Sequence, residues 1–402
     1  MPQALSREAA TGTGDRSRPR AVLPALCATQ ITSWGIVYYA FPVLNAHITA
    51  DTGWSTTTTT GAFSAALVVS ALAGIPVGRI LDRRGPRAVM TTGSLLGVAA
   101  VLAIAHAPNP AAFTAAWLLA GMAMAATFYQ PAFAALTRWW GEDRIRALTI
   151  VTLAGGLAST AFAPLTATLA EHLGWRTTYT VLAVILGVVT IPAHALALRA
   201  PWPPASVPPT QQTGGSRSVA RSRPFVLLAV ALTLNGFAMY AVVIALVPLL
   251  TERGASPTAA AWALGLGGAG QTLGRTLYTT LARHTGVTTR TVTLIAAGGA
   301  TTFALAITPG PYLLLLFLGI VAGMVRGNLT LLQATAVTDR WGTSDYGRLS
   351  GILAAPVTIA SALAPFAGAA LADELGGYSA LFVALAGISA SASLLATASS
   401  RY

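Results

Sequence analysis

Twelve stretches of roughly 18 to 27 residues, each almost free of charge, follow one another along the chain with short polar turns between them. They run approximately over residues 21–43, 57–79, 88–106, 112–136, 147–170, 177–198, 224–250, 258–281, 291–308, 312–337, 349–372 and 378–398. About 20 apolar residues cross the ~30 Å hydrocarbon core of a bilayer as a helix, because each residue rises about 1.5 Å. Lipid offers no hydrogen bonds, so such a segment must satisfy its own backbone, which the helix does. Composition agrees: 54% of the 402 residues are apolar and 9% charged, against about a quarter charged in soluble domains. The sequence therefore predicts an all-α membrane protein, and soluble or disordered classes are excluded.

Breaks such as Ala107-Pro108-Asn109-Pro110 and Pro309-Gly310-Pro311 are turn chemistry, so consecutive spans run antiparallel. Arg16, Arg18 and Arg20 precede the first stretch in the manner of a signal peptide. That stretch is long, holds Gln30, and is followed by eleven more, so it is expected to remain as a span.

The formal charge of +12 comes from 24 basic residues, all arginine, against 12 acids. With an even number of spans the termini share one face, and 20 of the 24 arginines fall on it. The opposite face holds Arg176 and Arg253 among Asp51, Glu171, Glu252, Asp373 and Glu374. The positive-inside rule then predicts both termini in the cytoplasm of a plasma-membrane protein. The basic excess is topogenic, and no nucleic-acid partner is expected. A lone cysteine, Cys27, permits no intrachain disulfide, and H-E-x-x-H, CxxC and P-loop patterns are absent. No enzyme, metal site or cofactor is expected.

The chain also repeats itself. Thr32, Gly35, Tyr39 and Ala40 match Thr233, Gly236, Tyr240 and Ala241 at an offset of 201. At 202, Ala120-Gly121-Met122 matches Ala322-Gly323-Met324, Arg138-Trp139 matches Arg340-Trp341, and Arg146 matches Arg348. An ordered set near half the chain length indicates a six-plus-six duplication. The expected organisation is a basic tail over 1–20, a six-helix bundle over 21–198, a Pro-, Gly- and Ser-rich linker over 199–223 and a second bundle over 224–402. Two parallel repeats joined this way suit a transporter that rocks about a site near the bilayer midplane.

After the second span, Gly78-Arg79-Ile80-Leu81-Asp82-Arg83-Arg84-Gly85-Pro86-Arg87 forms a tight basic turn around a single acid. This spacing resembles the loop signature of the major facilitator superfamily, and with the duplication and linker the resemblance covers nearly the whole chain. The turns Arg138-Trp139-Trp140, Gly174-Trp175-Arg176 and Tyr346-Gly347-Arg348 are similar to those of its monocarboxylate and oxalate/formate branch, which also carries an arginine in the eighth span. The resemblance implies alternating access, with Gly78, Asp82, Arg83, Gly85 and Arg87 as a latch between the bundles at one face. In the second half Arg283 stands where the acid would fall, which puts a matching latch in doubt. The fourth span lacks the membrane-embedded arginine of proton-driven drug exporters, and the fifth has only Ala163-Pro164 in place of their Gly-Pro run.

Arg326 and Arg275 lie inside spans. A charge at the bilayer centre costs about 2.5 to 3.5 kcal/mol on insertion scales and asks for a partner or a purpose. Arg326 stands 14 residues from both Tyr312 and Arg340, too deep to reach either surface. Arg275 precedes Arg283 by eight residues, or about 12 Å of helix. For it the alternative is a displaced copy of Gly78-Arg79 whose guanidinium reaches the interface. All twelve acids fall in loops or at span ends, so the missing negative charge is expected to be the substrate, a small organic anion. Gln271 and Gln333 share helix faces with these arginines. In the superfamily the first, fourth, seventh and tenth spans line the cavity, which adds Tyr38, Gln130 and Asn235 as candidate contacts; for each uncharged residue an interhelical hydrogen bond is the competing role. The expected function is a monomeric secondary transporter of an anionic, carboxylate-type solute in contact with lipid. A co- or counter-transported ion is left open, and efflux of an amphipathic drug or secondary metabolite is the alternative.

Overall fold

The computed structural model describes residues 19–202, 216–343 and 345–399. Most of the basic tail and the middle of the linker lie outside the described residues. The first bundle contains α1 (Val22–Ser33), a π-helical turn (Trp34–Tyr39), α2 (Ala40–Thr52), α3 (Thr56–Arg84), α4 (Pro86–Ala105), α5 (Pro110–Thr127), α6 (Tyr129–Trp140), α7 (Arg144–Gly156) and α8 (Ala158–Pro192). After a short α9 (Ser216–Arg221) come α10 (Arg223–Glu252), α11 (Pro257–His284), α12 (Val287–Ile307), α13 (Tyr312–Thr335), α14 (Thr338–Trp341), α15 (Tyr346–Leu375) and α16 (Tyr378–Ala398). Among the described residues there is no strand.

These elements make twelve crossings. Eight helical segments are long and apolar enough to span a bilayer, and one of them, the 88-residue Pro110–Ala197, folds back twice to cross three times. The first of its turns is the Gly141–Asp143 segment, and the second is Gly174, whose φ of 71° only glycine adopts readily. The remaining two crossings are α1–α2, interrupted by the π turn, and α11, whose arginine and glycines dilute its hydropathy.

The duplication has a packing reason. A Cβ on Gly35 would strike the Phe162 ring of α8 at 2.3 Å, and one on the matched Gly236 would strike Val357 of α15 at 2.8 Å. A Cβ on Gly121 would lie 2.3 Å from the Ala66 carbonyl, and one on Gly323 2.0 Å from the Gly267 carbonyl. The repeated glycines are the close approaches that set helix spacing in each bundle.

Two prolines break helices. Pro42 has no N–H for the Tyr38 carbonyl, and the turn before it widens into the π-helical Trp34–Tyr39 segment. Pro131 likewise leaves the Thr127 carbonyl without its helical donor, and the backbone turns extended at Phe128. Gln30 of α1 fills the vacancy: its amide nitrogen donates to Thr127 O at 2.7 Å and to Phe128 O at 3.4 Å. At the face opposite the termini, both arginines cap helix ends. Arg176 donates to Ala105 O and Ala107 O, and Arg253 to Leu305 O and Ala306 O.

The described ends of the linker are docked on the bundles. Trp202 packs over Gly85 and under the Arg138 guanidinium, and Val219 and Ala220 rest on the core. The bundles meet through α3 against α15, and through α6 and α7 against α11, α13 and α15. Apart from α3, the first-bundle partners are the helix halves nearest the termini.

Candidate transport site and latch

Two glycine stripes bring the membrane arginines together. On α11, Gly267, Gly270 and Gly274 face α13, where Gly323 and Gly327 face back. Cβ atoms added at Gly270, Gly274 and Gly327 would fall 2.5, 2.0 and 2.0 Å from the carbonyls of Ile320, Met324 and Gln271. Arg275 and Arg326 flank this seam and lie close enough to repel one another. Arg326 donates through Nε to Gln271 Oε1 at 3.3 Å. Arg275 does not reach the interface: it is buried, donates through Nη1 to the Thr152 carbonyl of α7 in the other bundle at 2.5 Å, and leaves its Nε without a partner. A Cβ on Gly156 would sit 2.9 Å from the same Nη1, so the end of α7 is shaped around the guanidinium.

Tyrosines complete the cluster. The Tyr129 hydroxyl lies beside Arg275 and against Gly155. Tyr240 is within electrostatic reach of both arginines, and Tyr39 of Arg275 and Tyr240. Tyr240 sits mid-helix beside the guanidiniums. Behind the tyrosines stands an aromatic wall: Trp34 stacks on Phe128 with centroids 4.1 Å apart and meets Tyr38 at 5.3 Å and Tyr129 at 5.1 Å. Each described acid lies in a loop, a short connecting helix, the last turns of a helix or, for Glu171, just before the Gly174 turn within α8, and none is near the arginine pair.

Of the candidate contacts, the structure gathers Arg275, Arg326, Gln271, Tyr38 and Asn235, the last lining one pocket with Arg326. Gln130 is elsewhere, beside Gly74 in a small gap lined also by Gly78, Leu81 and Gly347. Gln333 lies two turns from Arg326 toward the α13 end and makes no side-chain hydrogen bond among the described residues. Tyr39, Tyr129 and Tyr240 were not expected, although the pairing of Tyr39 with Tyr240 in the repeat was a usable signal.

At the terminus-bearing face, Asp82 accepts N–H bonds from Gly347 and Arg348 at 2.9 Å each, at the start of α15. Arg138 stands 3.9 Å from the same carboxylate and donates to Thr343 O. A Cβ on Gly78 would strike the Gly347 carbonyl at 2.1 Å. Gly78 and Asp82 thus join the bundles. Gly85 makes the turn with φ 78°, Arg83 is exposed, and Arg87 donates to Ala195 O within its own bundle. The second half, without an acid at Arg283, uses Asp339 instead, which accepts from Arg290 at 2.6 Å and from Arg144 of the first bundle at 3.0 Å.

The family model of the Major Facilitator Superfamily matches residues 26–330 and again 226–399. The chain belongs to that superfamily and is a transporter rather than an enzyme. Monocarboxylate transporter 13 of Rattus norvegicus is 28% identical over 77% of this chain and 72% of its own length. Monocarboxylate transporter 13 of Bos taurus is 33% identical over 50% of this chain, a match that spans 47% of that relative, and monocarboxylate transporter 11 of Homo sapiens is 25% identical over 86% of this chain and 74% of its own. These monocarboxylate transporters are what the chain is similar to within the superfamily. A crystal structure of the transporter FucP in the outward conformation shares the fold, with a TM-score of 0.73 at 14% identity over 94% of this chain and 99% of that one.

Proposed function

We propose that this transporter carries a small organic anion, with its carboxylate held by Arg326 and Arg275. The observation that carries the reading is two neighbouring guanidiniums with no described acid near them. Arginine stays charged across physiological pH, so the pair needs an anion, and a carboxylate matches the guanidinium fork. The Tyr39, Tyr129 and Tyr240 hydroxyls supply donors around the same point. The monocarboxylate relatives support this reading.

With both termini in the cytoplasm, as the arginine distribution indicates, the conformation is outward-open and Asp82 and Asp339 hold the cytoplasmic side shut. The absence of a midplane acid favours anion exchange, or symport in which the proton travels on the substrate. A thermal-shift screen of small carboxylates tests the assignment: at least one should stabilise the wild type and fail to stabilise Arg326→Ala. Stabilisation that persists in Arg326→Ala would assign that arginine to structure, as the drug-efflux alternative requires.

A further inference from the structure

Arg326 also borders a space inside the second bundle, between α10, α12, α13 and α16. It is lined by Asn235, Met239, Thr301, Val325, Arg326 and Ser389 among others. Asn235 is 6% exposed and Ser389 3%, and neither side chain makes a hydrogen bond among the described residues. The Thr301 hydroxyl donates to Gly298 O at 3.0 Å, which leaves its lone pairs to accept. Three elements therefore present unused hydrogen-bonding capacity to one pocket, with a guanidinium at its edge and Met239 and Val325 as apolar walls.

We propose that this pocket is a substrate subsite: it takes the tail of an acid whose carboxylate is on Arg326, and it selects a tail bearing a hydroxyl several carbons from that carboxylate. The inference rests on the carboxylate reading above. The hydroxyl is the matching group because it donates to Thr301 while accepting from Asn235 or Ser389, which a plain alkyl tail cannot do. A site built to bond a hydroxyl discriminates strongly against the analogue that lacks it.

The test is competition binding to the purified full chain with pentanoate against 5-hydroxypentanoate and hexanoate against 6-hydroxyhexanoate. At least one hydroxy acid should bind about 10-fold or more tightly than its parent, and Asn235→Leu and Ser389→Ala should each erase that ratio. Gly298→Val, whose side chain would enter the pocket, should exclude both longer acids and still bind acetate. Thr301→Val, close to isosteric, should lower the ratio if the other variants fail to fold. Equal binding of hydroxy and parent acids, or a ratio that survives all these variants, overturns the subsite; the carboxylate reading stands in that case if Arg326→Gln weakens every acid. If no carboxylate binds the wild type, both fail.

Discussion

Arg275 of the second bundle donates to the carbonyl of Thr152 in the first, at 2.5 Å, and its guanidinium lies beside Arg326, Tyr129 and Tyr240. One side chain thus serves the proposed anion site and a contact that holds α7 to α11. A carboxylate competes with a neutral carbonyl for the same N–H groups and forms the stronger, charge-assisted bond.

From this competition follows a coupling between substrate and gate. Ala134 is buried in the gap beside Gly78 and Gly347 at the closed end. In a Cys27→Ala background, the cysteine introduced by Ala134→Cys should react slowly with a water-soluble thiol reagent. A bound carboxylate should speed that reaction, and Arg275→Gln should abolish the effect of the ligand.

Asp82→Asn removes the charge from two backbone hydrogen bonds at the α15 start. Charge-assisted bonds of this kind contribute about 1.5–3 kcal/mol, so the closed end should open roughly 10-fold or more often. The same labelling rate measures it, without added ligand. An unchanged rate would show that the glycine contacts alone keep the face shut.

Helix spacing makes a sharper stability prediction. Gly323→Ala places a methyl group 2.0 Å from the Gly267 carbonyl, and Gly121→Ala places one 2.3 Å from that of Ala66. Each should destabilise by about 1–3 kcal/mol, as overpacking does. Gly265→Ala, with nothing within 4 Å of the added atom, is the neutral control. Thermal unfolding in detergent reads all three.

Gln30→Leu should also lower the melting temperature, since it strips the Thr127 carbonyl of its replacement donor, a loss worth about 1–3 kcal/mol. Gln333→Leu should change it little. Equal effects would mean that the break in the fourth crossing does not need its cap.

Much of this was legible from residues alone. Span number, antiparallel order and the duplication all follow from hydrophobic runs and matched glycines, because lipid forces helices and close packing forces glycine. The two membrane arginines stood out for the same reason: nothing nearby in sequence could neutralise them. What sequence could not supply was direction and depth. Gln130 shares a crossing with Tyr129, yet the break at Phe128 turns Tyr129 to the arginines while Gln130 packs at Gly74. Gln30 stands two turns before Tyr38 on the first span, but a proline 101 residues later claims it for a backbone repair. Asp339 became visible as the second acid of the closed face only once α14 was seen between Arg290 and Arg144.

The central claim, an anion held by the arginine pair, is tested most directly by counterflow of a labelled small carboxylate into proteoliposomes preloaded with the unlabelled acid. The wild type should accumulate label, and Arg326→Gln, reconstituted to the same density, should lose at least about 90% of that rate, the tenfold that 1.4 kcal/mol of binding represents. Counterflow at the wild-type rate in Arg326→Gln would contradict the account.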